Sequence, residues 1–176
     1  TTSGREAMIN ERQPIDADRA RLIEANFIDV ARSWVGPSGG ECVDRADLFL
    51  YATGILHPLF NGVFRSHFIE GTVEARTDEV ITFFRRRKLP FLWCIGPSTI
   101  PEDMAHILGV SGLTPVSVCT GMSVDLDRLE SLSGGGAFIR PVEDDVSLAQ
   151  WVRVFRVSFG LPQDSEKDCA VALMQH

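Results

Sequence analysis

Residues 91–113 read FLWCIGPSTIPEDMAHILGVSGL, the stretch with the most informative local pattern in the chain. The apolar run 89–95 is typical of a buried strand, and the glycine and proline of Gly96-Pro97-Ser98 end it. Thr99 and Glu102 have the spacing of a capping box, which marks the start of a helix. An apolar stripe follows at helical spacing: Met104, Ile107 and Leu108. The stretch therefore predicts a strand, a turn and an amphipathic helix.

Upstream of this stretch, the pattern predicts a helix and two strands. Asp16 or Asp18 caps the helix, and the loop 36–40 ends it. Its predicted buried stripe consists of Ile23, Phe27, Val30 and Trp34. The apolar runs 47–54 and 62–68 predict strands. Pro58 lies between them, so we expect a loop that joins an antiparallel pair.

A second helix is predicted over about residues 72–88. Its carboxylates come early and its basic residues come last, an order that complements the helix dipole. The basic residues are Arg85, Arg86, Arg87 and Lys88. An anionic ligand such as phosphate is the alternative use of this run, but its position in the last helical turn favours the structural interpretation.

Downstream, residues 116–126 alternate and predict a strand, or a strand pair, broken at Gly121. The glycine-rich residues 133–136 predict a linker, and their alternative, a phosphate-cradling loop, lacks the flanking strand and helix. Residues 137–142 predict a short strand. A last helix, capped by Asp144 or Asp145, carries one apolar face: Leu148, Trp151, Val152, Phe155 and Phe159. The predicted fold class is α+β, a mixed and mostly antiparallel sheet flanked by helices.

Composition excludes several classes of protein. The 176 residues carry a net charge of −7, which argues against a partner bound through nucleic-acid phosphates. The chain contains no run of 18 apolar residues, so the sequence predicts no membrane-spanning helix. Residues 1–6 lack the apolar core of a secretory signal. We therefore expect a cytoplasmic location. The four cysteines lie far apart, which predicts reduced thiols and no metal site.

Single residues carry little catalytic signal. Ser98 is conceivable as a nucleophile with a histidine, although capping explains it more simply. Tyr51, His67 and Glu70 are candidate acid or base groups that no spacing requires. No P-loop, nucleophile elbow, zinc-protease motif or dinucleotide fingerprint occurs in the chain.

Residues 91–113, together with GMSVDL at 121–126, resemble the strand-helix-strand end of the GCN5-related N-acetyltransferase (GNAT) superfamily. The patterns W-x-x-G-P-S-T-x-P-x-D and G-M-x-x-D-L are most similar to the N-terminal half of tandem-GNAT proteins. The resemblance covers about residues 18–126, and FIRPVEDD at 138–145 looks like the start of a second repeat. It divides the chain into a flexible N-terminus (1–15), a GNAT-like domain (16–132), a linker (133–136) and the beginning of that repeat (137–176).

The resemblance implies acetyl transfer from acetyl-CoA to an amine, with an acceptor and a general base that the sequence does not identify. Members hold the pyrophosphate of acetyl-CoA on an (R/Q)-x-x-G-x-(G/A) loop at a helix N-terminus. Residues 68–72, FIEGT, stand at that place with one glycine and with Glu70, whose charge repels phosphate. This domain is therefore expected to be degenerate and to bind acetyl-CoA weakly, so that the chain alone is inactive.

Four residues are the predicted ligand contacts, because a strand end there opens onto a helix N-terminus: Trp93, Gly96, Ser98 and Thr99. Core packing and helix capping are the alternative roles of these four. The expected partner is a second GNAT repeat. The alternative function is a non-enzymatic module that forms a homodimer through apolar side chains: Phe138, Trp151, Phe155 and Phe159.

Overall fold

The computed structural model describes residues 16–128, 138–163 and 170. The predicted segments 1–15 and 133–136 lie outside these residues. Within them the chain forms four α-helices and four strands, which confirms the α+β class. In chain order the elements are α1 (Ala17–Ser38), β1 (Glu41–Arg45), β2 (Leu48–Ala52), β3 (Asn61–Phe64), α2 (Val73–Arg87), β4 (Leu92–Trp93), α3 (Met104–Val110) and α4 (Asp145–Ser158). Short 3₁₀ turns lie at Pro58–Phe60 and Leu126–Arg128.

The strands form one mixed sheet in the order β1-β2-β3-β4. β1, β2 and β3 are antiparallel, so the predicted pair of strands is confirmed as β2 and β3. β4 is parallel to β3 through the register pairs Gly62–Leu92 and Val63–Trp93. Gly62 is required in this pairing, because a β-carbon there would lie 2.7 Å from the Leu92 carbonyl oxygen.

Helices cover both faces of the sheet. On one face, α2 and α3 bury Phe84 and Met104 against strand residues that include Leu50 and Val63. On the other face, α1 buries Ile28 against Phe49 and its neighbours. Because successive strand residues point to opposite faces, the continuous apolar run of β2 supplies both cores. The predicted α2 is confirmed, with its basic residues in the last turn.

The buried stripe of α1 differs from the predicted one. Phe27 is 53% exposed and Val30 is also exposed. The buried positions are instead Glu24, Ile28, Ala31 and Val35. Apolar residues stand on two adjacent sides of this helix, and the sheet selects the side with the smaller side chains. The helix also continues to Ser38, because Gly39 rather than Gly36 adopts the left-handed C-cap, at φ 67°.

Three further predictions are wrong. Residues 116–126 form no strand, and Val118 is 99% exposed, since no strand lies beside them. Residues 138–142, the described part of the predicted strand 137–142, are likewise exposed and unpaired with the sheet. The capping box of Thr99 and Glu102 is absent, because the helix begins later, at Met104, with Asp103 as N-cap.

The last helix is confirmed in position and capping. Asp144 is its N-cap and forms a capping box with Ser147. α4 buries Val152 against Ile55 and Phe60, residues of the connection between β2 and β3. The helix assigned to the second repeat therefore packs on the core of residues 16–128.

Candidate functional site

Trp93 lies at the end of β4 and contacts β3 and the residues that follow it. Its indole Nε1 donates a hydrogen bond to Ser66 Oγ at 3.2 Å. Its ring meets Phe68 edge-on, with the centroids 6.2 Å apart. Ser66 and Phe68 are buried, so these contacts give Trp93 a packing role at the parallel edge of the sheet.

Gly96, Ser98 and Thr99 lie together in one tight turn after β4. The Gly96 amide donates to Thr99 Oγ1 at 3.0 Å, and the Thr99 amide donates to the Gly96 carbonyl at 3.1 Å. The threonine hydroxyl thus closes the turn that precedes α3, which explains why it does not cap the helix. The predicted ligand contacts at these positions stay a prediction, and the polar contacts of Gly96 and Thr99 are those of the turn.

The structure adds Glu24, a residue that the sequence analysis did not single out. Glu24 is 7% exposed and lies on the buried side of α1. Its carboxylate packs directly on Gly96, where a β-carbon would overlap Oε1 and would stand 3.1 Å from Cδ. Oε1 is fully buried and has no hydrogen-bond partner among the described residues. A buried carboxylate oxygen without a partner is costly, so this arrangement requires a reason.

A thiol and an irregular segment adjoin this carboxylate. Burial, together with the charges of Cys119 and Glu24, raises the pKa of the Cys94 thiol to about 11, so it stays protonated at neutral pH. Residues 114–125, which we call the covering segment, contact the N-terminal half of α1. A β-carbon at Gly121 would lie 3.2 Å from Ile23 Cδ1.

An ion pair holds the end of the covering segment to α1. Arg19 Nη2 donates to both carboxylate oxygens of Asp125, at 3.0 and 2.9 Å. Both side chains are more than two-fifths exposed, so solvent screens this pair and weakens its contribution to stability. The segment therefore lies beside the Glu24 site and is held to α1 at this end.

The N-terminus of α2, where the resemblance expects a phosphate loop, is acidic. Glu70 and Glu74 are exposed there, and the Thr72 hydroxyl donates to the Ile69 carbonyl instead of capping the helix. Arg76 is the cation of the second turn, and its Nη2 donates to Asp47 Oδ2 at 2.6 Å. It also pairs with Glu79. The nearby positive charge is thus already neutralised.

The candidate acid and base groups lie in different environments. Tyr51 is buried and donates its hydroxyl to the Leu59 carbonyl at 2.8 Å, and burial raises its pKa above the usual range. His67 and Glu70 are exposed.

Across residues 16–128 and 138–163, no three His, Cys, Asp or Glu side chains are grouped to hold a metal ion. No helix among them has the length and hydropathy of a membrane span.

The basic run at the end of α2 makes contacts within the fold. Arg87 Nη2 donates to Glu41 Oε2 at 2.6 Å, and its guanidinium lies 3.6 Å from the centroid of the Phe83 ring. These contacts favour the structural interpretation of this residue over anion binding.

Comparison of the chain with protein-family models, with curated proteins and with solved structures finds no match.

Proposed function

We propose that residues 16–128 form a GNAT-like domain of an acetyl-CoA-dependent N-acetyltransferase of the tandem type. The observation that carries this proposal is the order of elements around the 91–113 motif. A helix and three antiparallel strands come first, then α2 crosses over, and the motif supplies β4, parallel to β3, and α3. A parallel pair needs such a crossover, and this order agrees with the resemblance as far as α3. The strand that the resemblance implies over residues 116–126 is absent.

The acidic N-terminus of α2 supports the second half of the proposal, which is weak cofactor binding. Helix N-termini attract anions through their free amides, and carboxylates in the same turn oppose this attraction. Glu70 and Glu74 both stand at this helix end, and Arg76 is paired with Asp47. A domain with this charge distribution serves the enzyme by packing against a second repeat and shaping the acceptor site.

Removal of the two carboxylates is expected to strengthen acetyl-CoA binding. In the variant Glu70→Gln/Glu74→Gln, each lost charge removes about 1 kcal/mol of repulsion from the diphosphate, so binding tightens by about tenfold or more. Isothermal calorimetry at low salt measures the change. The charge-matched control is Glu102→Gln/Glu143→Gln, at two exposed sites. Micromolar binding by the unmodified chain, or equal binding by both variants, would contradict the proposal.

A second candidate function, a dimerisation module, is favoured by an aromatic row on α4. Trp151 stacks on Phe155 with centroids 5.4 Å apart, and Phe155 lies 4.5 Å from Phe159. Trp151 is 42% exposed, and Phe138 and Phe159 are exposed as well. Phe155 is half-buried and packs towards Phe60, so it belongs partly to the core. The exposed part of this row is an apolar surface suited to a second copy.

Under this second candidate, Trp151→Glu is expected to abolish self-association. Light scattering over a concentration series would show a dimer for the unmodified chain and a monomer for the variant. Leu22→Glu, at an exposed apolar position on α1, is the control and should leave the dimer intact. An unmodified chain that is a monomer at every concentration contradicts the module.

A further inference from the structure

Glu24 stands out among the buried side chains that have an unpartnered polar atom. Within the described residues Thr77 and Arg65 share this feature with Glu24. Arg65 donates through another nitrogen, and Thr77 is uncharged. Glu24 is the one acid among them, and its unpartnered atom, Oε1, is a hydrogen-bond acceptor of a carboxylate. A lone buried carboxylate is the kind of group that a ligand of opposite charge would satisfy.

The surroundings of Glu24 are closely packed, and its carboxylate occupies the place that a side chain at position 96 would take. Gly96 presents no side chain to the carboxylate, and Gly121 presents none to Ile23 beside it. The covering segment has no helix or strand from 114 to 125, and its residues are exposed. Its ion pair to Arg19 is a surface pair of small energy. A ligand would therefore reach Glu24 only by displacing this segment.

We propose that Glu24 binds the ammonium group of a primary amine at the turn after β4. An ammonium has three N–H donors and one positive charge, so it supplies both the hydrogen bond that Oε1 lacks and the charge that the buried carboxylate needs. A divalent metal ion suits the site less well, because the described residues offer no group of three ligating side chains.

This inference rests on the proposed function in one respect: acetyl transfer to an amine needs a subsite for that amine. Glu24 then serves as a substrate-binding residue next to Gly96, a predicted ligand contact. It holds the charged acceptor before a base removes its proton, since only the neutral amine attacks a thioester. The binding step itself requires no cofactor and can be measured alone.

A nuclear magnetic resonance titration with n-butylammonium chloride tests the site. The backbone amides of Gly96 and Gly121 are the reporters, and n-butanol is the uncharged probe of similar size. We expect saturable shifts of both amides with n-butylammonium and none with n-butanol. Glu24→Gln, which keeps the shape and removes the charge, should weaken binding by about tenfold or more. Asp18→Asn, at an exposed carboxylate of the same helix, should bind as the unmodified chain does.

Equal shifts with both probes, equal affinity in Glu24→Gln, or no saturable shift at all would overturn the amine site. Because no acetyl-CoA is present in these samples, such a failure leaves the calorimetric test of the α2 carboxylates unaffected. Conversely, amine binding that depends on Glu24 would stand even if the calorimetric test fails. The two proposals can therefore fail separately.

Discussion

Replacement of Asn61 by alanine is expected to lower the free energy of unfolding by about 3 kcal/mol or more. Asn61 is completely buried at the start of β3. Its Oδ1 accepts from the Thr53 amide at 3.1 Å. Its Nδ2 donates to the carbonyls of Ile55, His57 and Pro90, at 2.8, 3.1 and 3.0 Å. The four lost hydrogen bonds are each worth about 0.5–1.5 kcal/mol. The Thr53 amide and the carbonyls of Ile55 and His57 keep a backbone partner, so the Pro90 carbonyl bears the larger cost of a lost partner.

The contact with Pro90 makes Asn61 important for the candidate site. Pro90 lies two residues before β4, so a single side chain ties the connection between β2 and β3 to the strand that leads into the turn at Gly96. Urea denaturation followed by circular dichroism measures the loss of stability. Asn26→Ala, at an exposed position of α1, is the control and should change the free energy by less than about 0.5 kcal/mol.

A second variant separates hydrogen bonding from packing at this position. Asn61→Asp keeps the side-chain volume but places an acceptor against three carbonyl oxygens. It is expected to destabilise the fold at least as much as Asn61→Ala. The new carboxylate oxygen, in the place of Nδ2, faces only carbonyl oxygens, so the buried charge has no hydrogen-bond donor on that side. If both variants have the same unfolding midpoint in urea as Asn26→Ala, the hydrogen bonds of Asn61 contribute nothing to stability.

The elements that the sequence predicts correctly are those whose local pattern agrees with their burial. β2 is one apolar run buried on both faces, and α2 has buried residues at helical spacing. β1 was missed because ECVDR contains only Val43 as a large aliphatic residue. It is an edge strand, held by a two-residue turn and by pairing with β2, and such strands need little apolar surface.

The wrong predictions have a common physical cause, which is that a local pattern does not show whether a partner exists. Residues 116–126 alternate as a strand would, yet a strand forms only against a neighbouring strand. Thr99 has the spacing of a cap, yet its hydroxyl accepts from Gly96. The choice between two apolar sides of α1 likewise depends on the sheet, which the helix sequence alone does not reveal.

The candidate site could be predicted in part. Gly96, Ser98 and Thr99 are neighbours in sequence, so any motif that includes one includes all. Glu24 comes from a helix some 70 residues earlier and joins them only through the fold. One signal could have found it, because Glu24 shares helical spacing with the small apolar residues Ile28, Ala31 and Val35. An acidic residue in a buried stripe is an informative exception.

Replacement of Glu24 by methionine is expected to raise the free energy of unfolding by about 1–3 kcal/mol. Methionine is unbranched, similar in length and flexible enough to fit against Gly96, and it removes a charged oxygen that has no partner. A buried acceptor that lacks a partner costs about 1–3 kcal/mol, and methionine removes this cost. Thermal and urea unfolding measure the change, and Asp18→Met, at an exposed position of α1, is the control.

The same variant should lose binding of n-butylammonium, and the two effects together distinguish a ligand-binding role from a structural one. If Glu24 supported the fold through a partner, methionine would remove that interaction and lower the unfolding midpoint. If Glu24 serves an amine, the protein carries an unpaired buried carboxylate for the sake of binding, and its removal makes the chain more stable and unable to bind. A less stable Glu24→Met variant that still binds n-butylammonium would contradict both parts of this argument.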